Sequence, residues 1–189
     1  GRTTGQSPGN ALVFRDRKFD SGNPGPLILD TDNDGDFSDE TAQPGFGMHG
    51  DAFITFDLDK IRHDNSLTAD QALLLTGQVG VANFRPGQTL GAPFENKSAV
   101  ILVDGRVVQL FDFTDQARDS QTVYHQFGTT EDLLVPGGAR FLTFAGLSGL
   151  GGQIGGAHLG FANMKLTAVP GDDTDGDGLP SSWETRYGL

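Results

Sequence analysis

The residues in this chain whose types and spacing most clearly indicate chemistry are carboxylates near the C-terminus. The segment from Asp173 to Glu184 reads DTDGDGLPSSWE and fits the EF-hand loop pattern D-x-D-x-D-G-x5-E at every position. Ca²⁺ takes about seven oxygen ligands, and carboxylates crowded into one loop repel each other unless a cation lies among them. The alternative is a solvated acidic tail. The expected ligands are Asp173, Asp175, Asp177, the Leu179 carbonyl, Ser181 directly or through water, and bidentate Glu184.

The flanks of this loop indicate a single calcium loop rather than a paired EF-hand. Residues 166–172 (LTAVPGD) resemble a strand end and a turn, where an EF-hand would have its entering helix. The segment is similar to thrombospondin type 3 repeats and dockerin-like segments, which implies a stiff connector after a β-domain. We therefore predict a β-sandwich module over residues 1–168 and a calcium-binding connector over residues 169–189, which begins a further segment of a longer chain.

A second acidic segment, residues 30–41, repeats the D-x-D-x-D-G start but places Thr41 where the bidentate acid belongs. Glu40 stands one position too early for that role. Calcium binding and a solvated loop both remain open for this segment. The expected calcium ligands are Asp30, Asp32, Asp34 and Asp36.

Charge and composition exclude several classes of function. The formal net charge is −12, and the two acidic segments carry ten of these charges, so the rest of the chain is nearly neutral. No Lys/Arg cluster suits nucleic acid or anionic lipid, and no apolar run approaches the roughly 18 residues of a membrane span. The chain has no cysteine, which removes disulfides, thiol nucleophiles and thiolate metal sites. We expect an extracellular protein, secreted or at the cell surface, that calcium stabilises in place of disulfides.

The body of the chain reads as an all-β protein. Short apolar runs alternate with turn signals, and Asp104-Gly105 between two β-branched runs predicts a two-residue hairpin. No βαβ alternation occurs, which excludes a parallel sheet. Short helices are predicted at residues 58–63 and 67–74. The predicted strands cover residues 52–58, 72–82, 99–103, 106–113, 122–127, 133–135, 140–144 and 161–168.

Five segments in order resemble the motifs of the NPCBM family of carbohydrate-binding modules. GMHGDAFITFDL at residues 47–58 is similar to that family's G-x-H-A-x-S-x-I-x-F-D-L strand, and AVILVDG at residues 99–105 is similar to its hairpin. The others are TGQVGV at residues 76–81, ARFLTF at 139–144 and HLGFANMKL at 158–166. The resemblance implies an antiparallel, galactose-binding-like jelly-roll β-sandwich. The chain departs from the pattern at Asp51, Gly160 and Phe161, which stand where the family has a small residue, Asp and Trp.

Aromatic and polar side chains near strand ends are the candidates for contact with a glycan. Tyr124 with His125, and Asn83 with Arg85, are the better pairs, although a solvated strand end explains either pair equally well. His49 and His158 lie in the family motifs, where a structural role or ligand contact is open. For Trp183, which lies inside the calcium loop, packing against the sandwich and stacking on a sugar are both open. The phenylalanines at positions 53, 56, 111, 113, 141 and 144 are predicted to pack.

Two functions of different class follow. The first is a non-catalytic, calcium-stabilised carbohydrate-binding module of a bacterial protein, with a glycan as partner. The second is a calcium-stiffened structural or adhesive unit of a fibre or surface array that self-associates. Catalysis is not predicted, because no nucleophile motif occurs and calcium would keep the clustered carboxylates ionised.

Overall fold

The computed structural model shows an antiparallel jelly-roll β-sandwich with a short helix at Leu58–Asp64. The described residues are 2–6, 12–15, 27–29, 31–32, 39–49, 51–83, 98–112, 124–128, 133–147 and 158–169, together with 175, 177, 181, 184, 185 and 188. No helix among them is long and apolar enough to span a membrane. In chain order the elements are β1 (Arg2–Gln6), β2 (Leu12–Arg15), β3 (Leu27–Leu29), β4 (Ala42–Gln43), β5 (Gly45–His49), β6 (Ala52–Asp57), α1 (Leu58–Asp64), β7 (Leu73–Asn83), β8 (Ser98–Val103), β9 (Arg106–Asp112), β10 (His125–Phe127), β11 (Leu133–Val135), β12 (Phe141–Leu147) and β13 (His158–Ala168).

The strands form two sheets that pack face to face. The five-stranded sheet has the order β1-β6-β12-β8-β9, and its neighbouring strands are antiparallel. The eight-stranded sheet has the order β2-β5-β13-β7-β3-β4, with β10 and β11 also paired to β7. Successive side chains of a strand point to opposite faces, so each strand gives one set of residues to the core.

Aromatic rings fill the centre of the sandwich. The ring of Phe144 lies 5.0 Å from that of Phe161 and 6.0 Å from that of Phe56, both in edge-to-face geometry. Phe46 lies 5.7 Å from Phe144 and joins the two sheets. Such pairs contribute about 0.5–1.5 kcal/mol beyond the area they bury. The apolar faces of the two sheets therefore contact each other, as expected for strands whose apolar and polar residues alternate.

A buried arginine fixes α1 to the turn after β11. Arg62 is only 1% exposed, and its guanidinium donates to three backbone carbonyls: Nε to Gln71 at 3.2 Å, Nη1 to Ala139 at 2.6 Å and Nη2 to Pro136 at 3.1 Å. Burial lowers the pKa of this guanidinium, and the carboxylates of Asp59, Asp104 and Asp70 oppose that effect. Three carbonyl partners account for all the hydrogen-bonding nitrogens of the side chain, so this is a structural contact.

The turn beneath Arg62 leaves no room for a side chain. A Cβ at Gly137 would lie 2.6 Å from the Asp70 carbonyl carbon, and Gly138 has φ +77° while its N–H donates to the Ala69 carbonyl at 2.9 Å. Glycine tolerates both the close backbone approach at position 137 and the positive φ at position 138 without strain. The Pro136-Gly137-Gly138 turn therefore requires its two glycines.

Most predicted elements are confirmed, and the differences have clear causes. The Asp104-Gly105 hairpin has φ values of +47° and +78°, as a two-residue turn requires. The helix at residues 58–63 is present as α1, which Asp57 caps by accepting from the Lys60 N–H at 3.0 Å. The helix predicted at residues 67–74 is wrong: residues 65–72 are turns and extended chain that Arg62 and Gly138 hold, and β7 begins at Leu73.

Two further expectations need correction. The motif at residues 47–58 is not one strand, since β5 ends at His49, β6 begins at Ala52 and the two strands belong to different sheets. Phe53 and Phe141 do not pack in the core. They are 39% and 42% exposed, because β6 and β12 turn these positions to the outer face of the five-stranded sheet.

Candidate functional site

The C-terminal acidic loop brings together three of its predicted calcium ligands. One carboxylate oxygen from each of Asp175, Asp177 and Glu184 lies within 4.8 Å of the others. The Asp177 N–H donates to Asp175 Oδ1 at 3.3 Å, and Ser181 is helical and accepts from Thr185 Oγ1 through its carbonyl at 2.8 Å. This donor set of exposed or half-buried oxygens suits Ca²⁺. Asp173 and Leu179 lie outside the described residues.

The first acidic loop is closed by protein contacts at its ends. The Glu40 carboxylate accepts from the Thr31 N–H at 2.7 Å and from Thr31 Oγ1 at 2.9 Å. Glu40 therefore joins the two ends of the loop by accepting hydrogen bonds from Thr31. Asp32 is exposed, and the other three predicted ligands, Asp30, Asp34 and Asp36, lie outside the described residues.

The structure describes the predicted glycan contacts only in part. Tyr124 and His125 are adjacent in sequence but belong to opposite faces of the eight-stranded sheet, because His125 begins β10 and shares the inner face with Phe127. Asn83 ends β7 opposite Ile28 and His49 ends β5 opposite Leu12. These positions are described by backbone alone, and Arg85 lies outside the described residues.

His125 lines a cleft of about 360 Å³ between β9 and β10, where the edges of the two sheets meet. Its ring lies 5.4 Å from the Phe111 ring at an interplanar angle of 32°, and Phe111 in turn contacts Phe127 at 5.8 Å. Burial lowers the pKa of the His125 imidazole. A neutral imidazole carries one donor and one acceptor nitrogen. The remaining lining residues are Gln109, Leu110, Asp112, Gln126 and Leu133.

The polar residues of this cleft were not identified by sequence reasoning, apart from His125. Gln109 and Asp112 lie on β9, which reads as an apolar strand, and Gln126 lies between two ring residues. Only the pairing of β9 with β8 and of β10 with β7 brings them to one edge. The sequence signal that could have identified them is a glutamine inside an otherwise apolar strand, as at Gln109 in β9 and Gln126 in β10.

An apolar cavity of about 300 Å³ lies elsewhere in the sandwich. Phe46, Phe56, Phe144 and Met164 are among its lining residues, and Asn163 and Lys165 are among the few polar ones. It offers few polar groups to a hydroxyl-rich ligand. The cleft at His125 is therefore the better candidate for binding a polar molecule.

Comparison with known proteins gives a structural likeness only. No family model and no curated protein sequence matches the chain. Among solved structures, a CBM51 from Clostridium perfringens GH95 in complex with methyl-galactose matches with a TM-score of 0.51 and 20% identity, over 87% of this chain and 92% of that one. The tandem CBM51 modules of Sp3GH98, a family 98 glycoside hydrolase from Streptococcus pneumoniae, match with a TM-score of 0.55 and 15% identity.

A third match is CBM51-2 in complex with GlcNAc, with the INT domains of Clostridium perfringens ZmpB, at a TM-score of 0.54 and 16% identity over 91% of this chain. This chain spans 41% of the tandem CBM51 structure and 30% of the ZmpB structure. The fold is therefore the jelly-roll β-sandwich that carbohydrate-binding modules use. This confirms the predicted fold class.

Proposed function

We propose that the chain is a non-catalytic carbohydrate-binding module that holds a saccharide in the cleft at His125. The observation that carries the proposal is this cleft itself, in which a half-buried imidazole stacked near Phe111 lies beside Gln109, Asp112 and Gln126. Rings supply apolar contact for the C–H face of a sugar, while carboxamides and a carboxylate bind its hydroxyls. Structures of the same fold were determined with methyl-galactose and with GlcNAc.

The composition of the cleft supports binding rather than hydrolysis. Asp112 is the one carboxylate among the described residues that line it. Glycoside hydrolysis ordinarily uses a pair of carboxyl groups on either side of the scissile bond, separated by about 5–10 Å. A saccharide in this cleft would therefore meet hydrogen-bonding groups without an acid and base pair.

The proposal includes Ca²⁺ as a stabilising ion in the loop from Asp173 to Glu184. The convergence of Asp175, Asp177 and Glu184 supports it, together with the full EF-hand loop spacing. Extracellular calcium modules have dissociation constants of about 0.1–1 mM, so the site would be filled outside cells. This agrees with a secreted or cell-surface location and with a chain that has no cysteine.

One observation favours the second candidate, a self-associating structural unit. All the large apolar side chains that are exposed among the described residues lie on the five-stranded sheet. Phe53, Ala145, Val100 and Leu110 form one row across four of its strands. Apolar faces of this kind mark contacts with another protein surface.

A glycan array, probed with and without chelator, tests the proposal and separates the two candidates. We expect saturable binding that free sugar competes, and weaker binding in Gln109→Ala. Absence of glycan binding, together with concentration-dependent association in sedimentation, would instead support the structural unit. Leu110→Asp should then abolish association.

A further inference from the structure

Four carboxamide side chains form a continuous row on the outer face of the eight-stranded sheet. Asn163 Nδ2 donates to Gln78 Oε1 at 2.9 Å and to Gln43 Oε1 at 3.1 Å. Gln126 lies directly opposite Gln78 in the pairing of β10 with β7, so the two side chains share a face. We name Gln43, Asn163, Gln78 and Gln126 the carboxamide row.

The backbone at Asn163 is shaped to place this side chain in the row. Asn163 has φ +52°, and the pairing of β13 with β7 shifts register between Ala162 and Lys165. Its N–H donates at 2.9 Å to the carbonyl of Pro44, the residue before β5. A β-bulge redirects a side chain, and asparagine tolerates the left-handed conformation better than most residues.

Tyr124 adds an aromatic ring at one end of the row. Gln126 Nε2 donates to the Tyr124 hydroxyl at 2.9 Å. The ring lies over Gly80, where a Cβ would be 3.4 Å from Tyr124 Cδ2, and packs against the buried cluster of Leu27, Leu29 and Ala162. Tyr124 is half-buried, so part of its surface stays in water.

The row retains hydrogen-bonding capacity without carrying charge. Asn163 Nδ2 is the donor in both hydrogen bonds, which leaves Asn163 Oδ1 and the Nε2 groups of Gln43 and Gln78 without a protein partner among the described residues. Each carboxamide both donates and accepts, as sugar hydroxyls do. A charged ligand would find no opposite charge within the row, which favours a neutral one.

We propose that the carboxamide row and Tyr124 form a second saccharide-binding surface, for a neutral oligosaccharide laid across the strands. Two steps of about 4.8 Å, from β13 to β7 and from β7 to β10, span about 10 Å, and Gln43 lies one hydrogen bond from Asn163. This extent suits a chain of sugar units rather than one ring. The proposal rests on the proposed function of the chain. It adds a surface next to the His125 cleft: Gln126 belongs to both, whereas Gln43, Gln78 and Asn163 do not line the cleft.

Titration of the ¹⁵N-labelled chain with chitotetraose and galactotetraose tests this inference, with methyl-galactose and GlcNAc as monosaccharide probes. We expect the tetrasaccharides to shift the side-chain amide signals of Gln43, Gln78 and Asn163. The double variant Gln78→Ala/Asn163→Gly should weaken tetrasaccharide binding about tenfold and leave monosaccharide binding unchanged. Glycine keeps the left-handed backbone at position 163, and thermal unfolding of the variant checks its fold.

Two controls separate this inference from the proposed function. Gln43→Ala removes a member of the row that does not line the cleft and should weaken tetrasaccharide binding about twofold to tenfold even if the double variant is unstable. Gln109→Ala should weaken monosaccharide binding instead. Monosaccharide binding at the cleft with no effect of row variants on tetrasaccharides would overturn the row alone. Absence of all saccharide binding would overturn both proposals.

Discussion

Polar side chains serve different purposes at two regions of this sandwich. At α1, the guanidinium of Arg62 is almost completely buried and three carbonyls satisfy it. At the edge between β9 and β10, His125, Gln109 and Gln126 line an open cleft and are half-buried or exposed. The first arrangement leaves nothing for a ligand to bind, whereas the second presents polar groups to solvent.

The difference shows how a structural polar group can be distinguished from a binding one. A buried donor that loses its partners costs much free energy, so the fold must satisfy it fully. A partly exposed donor is served by water until a ligand replaces that water. We therefore expect changes at α1 to reduce stability without a specific effect on binding, and changes at the cleft to have the opposite outcome.

The largest expected effect is at Arg62. Arg62→Met keeps an apolar stem but leaves the carbonyls of Gln71, Pro136 and Ala139 unsatisfied, so the free energy of unfolding should fall by about 3–5 kcal/mol. Denaturant titration measures the change. Lys60→Met, on the exposed side of the same helix, is the control and should barely move the midpoint. Equal effects of the two substitutions would contradict the structural role of Arg62.

The next effect concerns affinity. Gln109→Ala should reduce saccharide affinity about tenfold, equivalent to about 1.4 kcal/mol, while the free energy of unfolding changes by about 0.5 kcal/mol or less. Calorimetric titration with the best ligand from the glycan array provides the affinity. Val107→Ala on the same strand is the control, since that side chain is exposed outside the cleft. If Gln109→Ala lost as much free energy of unfolding as free energy of binding, Gln109 would be a structural residue rather than a binding one.

The sequence predicted the fold better than it predicted the cleft. Strand alternation and the Asp104-Gly105 turn are local properties, so β7, β8, β9 and β11 could be located without tertiary information. The split of residues 47–58 between two sheets could not, because it depends on which strands flank β5 and β6. The cleft likewise depends on β9 meeting β10, and no spacing in the sequence brings Gln109 near His125. The burial of Arg62 depends on carbonyls more than 70 residues away.

A smaller effect is expected at the C-terminal loop. Removal of Ca²⁺ with EGTA should lower stability by about 0.5–1.5 kcal/mol at millimolar calcium, because one weak site contributes only that much. Thermal unfolding measures the shift. Asp175→Asn/Asp177→Asn should abolish the response, and Asp59→Asn, which removes a carboxylate far from the loop in sequence, should keep it. An EGTA effect that survives in the double variant would assign calcium to another site.

The smallest effect is the pH response of His125. Burial lowers the pKa of this imidazole in the folded chain, so the unfolded chain binds more protons below about pH 6.5. Its contribution is therefore fully present above that pH and is lost as pH falls. Denaturant titrations at about pH 7.5 and about pH 5.5 should show a smaller decline in His125→Gln than in the unmodified chain. An identical decline would argue against the buried, neutral imidazole.

The most direct test of the central claim is to locate saccharide binding on the folded chain. Titration with methyl-galactose and GlcNAc, followed by NMR, should give saturable shifts of the His125 ring protons and the Gln109 side-chain amide, with little change near Arg62. Saccharide-dependent shifts confined to other regions, or no shifts with any sugar that the array identifies, would contradict a binding site at the cleft.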